Sequence, residues 1–393
     1  MAKQVVILGA GYGGLVTAQE IRRSLTADAA KITVVNKQPF HQLITELHLP
    51  AAGRVNESHV RVPLDKLLSG KQIDVRVGEV AAIQPDSHQV ELSGGVTLDY
   101  DILVVALGSE TEFFGIPGLQ EHSFILKSVA DATRIRNHIE ERIMHYKESQ
   151  DAADITFAVG GAGLTGIELV GELADMVPTL CRKHGVDASA VQLYSIEAAP
   201  TILPGFPKTL VDRAKSSLSA RGVQFLTGVP IVQMEAGLAH LKDGRTVSTR
   251  TMVWTGGVRG HSIVATSGIA VDGRGRATVN AQLQSASHPD VFVVGDSALV
   301  LNPEGRPYPP TAQLASQMGL HCAKQIKVLI QGEGKLEEFQ PHLSGTLASL
   351  GKKDAIGMVG QRKFEVTGKP ASLLKDASKL RYLSQIGGLF ARA

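Results

Sequence analysis

Two stretches of this 393-residue chain have the residue types and spacing to hold a pyrophosphate. Gly9-Ala10-Gly11-Tyr12-Gly13-Gly14 and Gly161-Ala162-Gly163-Leu164-Thr165-Gly166 both carry glycine at the first, third and sixth positions. The first glycine makes a tight turn and the second lets phosphate approach the backbone. The third lets a helix pack close to the strand, with its N-terminal amides facing the phosphates. One such turn is a weak signal. Here each follows an apolar run, residues 5–8 or 155–159, and opens a helical stretch. Two copies in that context point to two bound dinucleotides.

The residue ending the next strand reads the ribose. In the second unit this is Glu197, followed by Ala198 and Ala199 with no arginine for a 2′-phosphate, which favours NADH over NADPH. In the first unit the position holds Asn36-Lys37. Asn36 can still hydrogen-bond a ribose. Lys37 either approaches a phosphate or is simply a solvated strand end. A third element is residues 291–296, an apolar run ending in Gly295-Asp296. An acid at the carboxyl end of a parallel strand points into the ligand crevice. Together with residues 101–108 this set looks like the FAD signature of two-dinucleotide flavoproteins, in which Asp296 would hold the ribityl chain.

The elements that must position these groups read as short apolar strands alternating with helices, the pattern of parallel sheets covered by helices. The expected class is α/β, with two Rossmann-type dinucleotide-binding domains and a C-terminal membrane-docking segment. Residues 1–112 and a return part, 271–330, form the FAD-binding domain. Residues 113–270 form the NADH-binding domain, and 331–393 the C-terminal region. A polar loop at 151–154 reads as a boundary, and the helix after the second turn is expected to run to about Leu180. Formal charge is only +2 and aromatics are 5%, which argues against nucleic acid. Cys181 and Cys322 form no CxxC pair, so neither a thiolate zinc site nor a disulfide framework is expected, and no metal site is read elsewhere. The N-terminus lacks the regions of a signal peptide, and the apolar runs are too short to span a bilayer. A soluble body in a reducing compartment is expected.

The missing cysteine pair also excludes an acceptor disulfide beside the flavin, so the acceptor must come to the flavin itself. At this point the chain closely resembles the type II NADH dehydrogenases, single-chain NADH:quinone oxidoreductases. The resemblance rests on residues 9–14, Thr45-Glu46-Leu47-His48, 160–172, Glu197-Ala198-Ala199-Pro200, 254–260, Gly295-Asp296 and 309–317. It continues through 345–351, Arg381-Tyr382 and Gly387-Gly388. It implies FAD contacts at Val80, Ala312, Gln313 and Lys375, an NADH contact at Gly257, and a quinone site lined by Gln313 and Gln317. It also implies a catalytic role for Glu168, in proton supply or in organising the site, with Glu172 as a structural or secondary group.

On their own reading, Pro309-Pro310-Thr311 stop one segment and N-cap a helix. That helix's N-terminus could stabilise an anionic reduced flavin. Gln313 and Gln317 share a face, as do Glu168 and Glu172, although such pairs usually face solvent. His41, His48 and His342 read as loop or surface groups.

Residues 371–390 place Leu373, Ala377 and Leu380 on one helical face. Leu374, Leu383, Ile386 and Phe390 would widen it, and Lys375, Lys379, Arg381 and Arg392 would add positive charge. A basic amphipathic helix reads as membrane-surface binding. The alternative is a terminal helix docked on the core or on a second copy. The resemblance implies peripheral attachment to the cytoplasmic side of the membrane and a homodimer. Family members commonly carry more basic residues after this point, so weaker anchoring is expected. Two other functions fit the motifs: a soluble flavin-dependent NADH dehydrogenase or oxidase, and a non-enzymatic NADH-sensing scaffold.

Overall fold

The computed structural model describes residues 1–387. Gly388, Phe390 and Arg392, named above, lie outside the described residues. In chain order, the first unit supplies β1 (Lys3–Leu8), α1 (Tyr12–Ser24), β2 (Ala30–Asn36), β3 (Ile73–Val77) and β4 (Ile102–Val105). The second supplies β5 (Phe124–Ile125), α2 (Val129–Ser149), β6 (Thr156–Gly160), α3 (Leu164–His184), β7 (Gln192–Glu197), β8 (Val223–Thr227) and β9 (Thr251–Trp254). Then come β10 (Val291–Val293) and α4 (Ala312–Gln331). The last module is β11 (Gly345–Ser349), β12 (Ala355–Val359), β13 (Phe364–Thr367) and α5 (Gly368–Gln385).

Two five-stranded parallel sheets result, ordered β10-β4-β1-β2-β3 and β5-β9-β6-β7-β8. The glycine-turn strand is central in both, so each turn opens at the carboxyl edge of its sheet, where such folds bind ligands. Strands β1, β4 and β6 are near-continuous apolar runs because both sheet faces are covered. The return strand β10 lies beside β4, with Val291 opposite Leu103. Phe157 on β6 and Phe292 on β10 are fully buried, each worth about 1.5–3 kcal/mol relative to exposure. The C-terminal module is a three-stranded antiparallel sheet with α5 packed on it.

The glycine turns show why their residue type matters. Gly9 and Gly161 have φ of +98° and +95°, and a Cβ on Gly14 or Gly166 would overlap the carbonyl oxygen of Gly9 or Gly161. At Gly11 and Gly163 a Cβ would meet nothing within 4 Å. The outer glycines are thus packed shut, while the middle one faces open space. Helices α1 and α4 meet closely through Gly13 and Gly319, and Thr17 Oγ1 donates to both their carbonyl oxygens, at 2.9 and 3.2 Å.

Two local expectations are corrected. Residues 151–154 are no boundary. Asp154 is fully buried and accepts from Arg142 (3.2 Å), His145 (2.7 Å), Ser149 (2.6 Å) and Arg250 (3.0 Å), tying α2 to the approach of β9 inside the second unit. Helix α3 passes Leu180 and ends at His184, where Gly185 takes the left-handed cap conformation.

Gly166→Ala should destabilise the second unit by about 3 kcal/mol or more, seen as a lower thermal midpoint. Gly163→Ala should leave the midpoint where it is. Equal losses in the two variants would refute this division between packed and open positions.

Candidate functional site

Asn36 and Glu197 do the same mechanical job in the two units. Asn36 Oδ1 accepts from the Ala10 amide at 2.8 Å, and Glu197 Oε2 from the Ala162 amide at 2.6 Å. Glu197 Oε1 also accepts from Ala199 N at 2.8 Å. Each side chain therefore spans from the end of its strand to the glycine turn, at the edge of the open space before Gly11 or Gly163. Lys37 pairs with Glu79 at 2.7 Å, and both are exposed, which is the solvated strand end. Val80 is buried on the first strand of a neighbouring three-stranded antiparallel sheet. A Cβ at Gly257 would meet the exposed Phe114 ring at 2.9 Å, and that ring would have to give way.

Asp296 follows β10, and Gly295, Asp296, Pro310, Thr311, Leu314 and Ala315 line one cleft. Thr311 caps α4 by accepting from Leu314 N at 3.2 Å, so the positive end of that helix opens beside Asp296. Open backbone at Gly11, an acid at the strand end and a capped helix terminus fit a flavin dinucleotide. The second turn, with Glu197, fits a nicotinamide dinucleotide.

Glu168 lies where α3 meets the C-terminal module. It lies in the second turn of α3 and is buried. Its Oε1 accepts from the Lys375 ammonium of α5 and from Ser349 N (3.1 Å) at the end of β11. Oε2 faces His48 Nδ1 at 3.6 Å. Gly171, one turn on, makes this possible: a Cβ there would lie 2.8 Å from the Leu350 carbonyl carbon, so the C-terminal module could not approach α3. Around this core, Lys379 Nζ pairs with Glu46 at 3.2 Å and Arg54 with Glu172 at 2.6 Å.

Burial pushes the Glu168 carboxyl up, against the Lys375 charge and the bonds from Lys375 and Ser349, which pull it down. Burial also acts to lower Lys375, but the carboxylates of Glu168, Glu46 and Glu172 outweigh it and hold the ammonium protonated. His48 is driven well below its ordinary value by burial and then by the charges of Lys375, Arg54 and Lys379, so it is neutral near pH 7. His41 is pushed down to about 4 by burial.

Sequence reasoning is corrected at several of these residues. His41 and His48 are buried, not loop or surface groups. His41 bridges the Ala10 carbonyl (2.8 Å) and the Tyr382 hydroxyl (3.0 Å). Lys375 and Lys379 point inward to carboxylates and add no surface charge beside the apolar face. Leu383 and Ile386 are core residues, while Leu373, Leu374, Ala377 and Leu380 stay exposed. Gln313 and Gln317 share a face of α4 next to the cleft, with their amides held by the chain. Gln317 exchanges two 2.8 Å bonds with the backbone of His342, and Gln313 donates to His342 O (3.3 Å) and to Ser344 Oγ. Arg54, Ser349, Tyr382 and Glu46 carried no local signal of their partners; only their place in the quoted segments near 45–48, 345–351 and 381–382 drew notice to three of them.

Comparison with known proteins identifies the family. Residues 3–319 match the family described as pyridine nucleotide-disulphide oxidoreductase. The type II NADH:quinone oxidoreductase of Staphylococcus epidermidis is 42% identical, over 98% of this chain and 96% of its own length. That of Staphylococcus aureus is 39% identical over the same shares. Among solved structures, NDH2 of Plasmodium falciparum in complex with NADH superposes with a TM-score of 0.87 at 16% identity, covering 100% of this chain and 97% of that one. The sulfide:quinone oxidoreductase of Aquifex aeolicus gives 0.81 at 22% identity, with 98% and 91% covered. These two share the fold. The sequence matches show more: the chain belongs to the pyridine nucleotide-disulphide oxidoreductase family and, within it, to the type II NADH:quinone oxidoreductases.

Proposed function

We propose that this chain oxidises NADH and reduces a quinone, with FAD in the first unit and NADH in the second. The observation that carries the reading is the buried Glu168 carboxyl, clamped by Lys375 and Ser349 where α3 meets the C-terminal module. FAD, when bound, accepts the hydride of NADH and returns two electrons to the quinone. The turns at Gly9–Gly14 and Gly161–Gly166 would hold the two pyrophosphates, and Asn36 and Glu197 the riboses. Asp296 would hold the flavin's ribityl chain, with Ala312 and Gln313 at the helix terminus beside it. Because both bonds to the chain are made at Oε1, Oε2 of Glu168 is the atom that carries a proton toward a quinone. Gln313 and Gln317 would flank the acceptor, and the loop they hold at His342 would bound that side of the entrance.

Among the described residues no helix is long and apolar enough to cross a membrane, so a bilayer quinone requires the chain to dock. Leu373 is 68% exposed and Leu380 51%, on the outer face of α5, with Leu374 and Ala377 between them. Lys369 and Arg381 on the same helix, with Arg362 and Lys363 just before it, supply the charge that anionic headgroups attract. Peripheral attachment to the cytoplasmic leaflet through this face, as a homodimer, completes the reading.

Stopped-flow mixing with NADH should bleach the flavin absorbance, and a soluble menaquinone or ubiquinone analogue should restore it much faster than oxygen does. The flavin released on denaturation should be FAD. Reoxidation by oxygen at the quinone rate, or a long-lived charge-transfer band with negligible turnover, would refute the proposal.

Glu168→Gln should lower quinone-dependent turnover by about a hundredfold. Since the carboxyl is pushed up and donates as the protonated form, the parent rate should fall as pH rises through its shifted pKa, and Glu168→Gln should lose that limb. Removing the charge with Lys375→Met should move the limb to higher pH, because Lys375 holds the Glu168 pKa down. A limb that stays put in Lys375→Met would disprove the coupling.

Leu373→Glu with Leu380→Glu should abolish co-sedimentation with anionic phospholipid vesicles while leaving reduction of the soluble quinone analogue intact. Undiminished co-sedimentation would remove α5 as the docking face.

A further inference from the structure

A cation with no role in the chemistry above reaches from the second unit toward Asp296, one of the residues lining the cleft. Lys127 stands between β5 and α2, just before Ser128, which caps α2 by accepting from Asp131 N at 3.1 Å. Its backbone N donates to Asp131 Oδ2 at 3.2 Å, which fixes where its side chain starts. From there Lys127 Nζ donates to Ser109 Oγ at 2.8 Å, and Ser109 Oγ donates to Asp296 Oδ2 at 2.8 Å. The bond directions are set by the chemistry: an ammonium only donates and a carboxylate only accepts, so the hydroxyl must pass the polarity along.

Among the described residues no carboxylate lies within ion-pairing distance of this ammonium. Desolvation lowers its pKa more than Asp296 and Asp131 raise it. The residue itself is half-buried. Ser109 is fixed independently. It opens the strand Ser109–Thr111, paired antiparallel with Val258–Gly260 from the second unit. Ser297, next to Asp296, donates to the Gly108 carbonyl. The line Lys127–Ser109–Asp296 therefore joins the NADH-side sheet to the flavin-side acid through rigid elements.

We infer that Lys127 is a positioning residue for electron uptake: its charge, delivered through Ser109, orients Asp296 and favours the reduced flavin. Hydride transfer breaks a C–H bond of the nicotinamide, leaves NAD⁺, and brings two electrons and one proton into the crevice. One negative charge is added there. A fixed, poorly solvated cation offsets that charge without reorganising at the moment of transfer. The inference rests on the flavin reading of the first unit and adds a residue from the second unit to it.

The test is a redox titration of the bound flavin's absorbance against a reference dye, using holoenzyme. Lys127→Met should shift the oxidised-to-reduced ratio at fixed potential at least tenfold toward oxidised flavin, which for two electrons is about 30 mV. Lys127→Gln, which keeps a donor toward Ser109 and removes only the charge, should shift it equally and stands in if the methionine variant does not fold. Lys127→Arg should stay within about threefold of the parent, since charge and donor both remain. Neutral variants that titrate with the parent, or an arginine variant that moves as far as the methionine one, would overturn the role of Lys127 while leaving the flavin reading intact. A parent protein that neither retains nor takes up flavin would end both.

Discussion

The seating of the C-terminal module on the rest of the chain depends on how the buried Glu168 carboxyl is satisfied. A lone buried carboxylate is so costly that it takes up a proton or finds partners. Here the partners come from the far end of the chain, Ser349 on β11 and Lys375 on α5. The C-terminal module must therefore close on α3, and the absence of a side chain at Gly171 is what lets it. Two further pairs, Glu46 with Lys379 and Glu172 with Arg54, surround the first and also join segments far apart in sequence. Buried ion pairs are poor evidence of stability, because desolvation offsets most of their attraction. Three together at one seam are better understood as a site whose proton affinity is set by geometry.

The two dinucleotide units solve one problem twice with a single chemical difference. Four strands of each sheet run in the same order around a central glycine-turn strand, with the fifth added from opposite ends of the unit's sequence. Both units tie the turn to the end of the next strand with a side-chain oxygen. The amide of Asn36 and the carboxylate of Glu197 are equivalent as acceptors from that turn. They differ in charge and in donor capacity: the Asn36 amide nitrogen also donates to Gln38 O at 2.7 Å, a bond no carboxylate can make. The first unit therefore uses its strand-end residue to shape its own loop and places its acid elsewhere, at Asp296. The second keeps its acid where a ribose would lie. On the proposed reading, the two ligands are told apart by moving one negative charge across an otherwise common frame.

What could be read from sequence was what is local. The glycine turns, the strands before them, the cap at Thr311 and the return of Gly295-Asp296 to the first sheet depend on patterns a few residues long, and those elements stand where the patterns put them. The surroundings of Glu168 were legible only as a family resemblance, since its partners lie 181 and 207 residues away. His48 shows the limit sharply. Nothing in Leu47-His48-Leu49 separates a surface histidine from one buried against a carboxylate, because burial is decided by the helix that packs on it. Asp154 misled in the opposite sense. Four acceptor bonds, from Arg142, His145, Ser149 and Arg250, satisfy a cluster that in sequence has the polarity of a linker.

Helix α5 carries the deepest of these reversals. Hydrophobic periodicity assigns the apolar stripe of a helix to the core and its lysines to solvent. In α5 the inward positions include Ala371, Lys375, Lys379 and Leu383, and the outward ones Leu373, Leu374, Ala377 and Leu380. A helix can present leucines outward and lysines inward only if the inside offers carboxylates, which Glu168 and Glu46 do. A helix built this way would couple the two jobs proposed for it. The residues that would meet lipid and the residue that sets the charge beside Glu168 are within one or two positions of each other, Leu373, Leu374 and Lys375. Any force that moves the outer face also moves the ammonium. On the proposed function, membrane docking and proton handling would share one rigid element, and a substitution that disturbs the seating of α5 would be felt at the Glu168 carboxyl, to which it is bonded through Lys375.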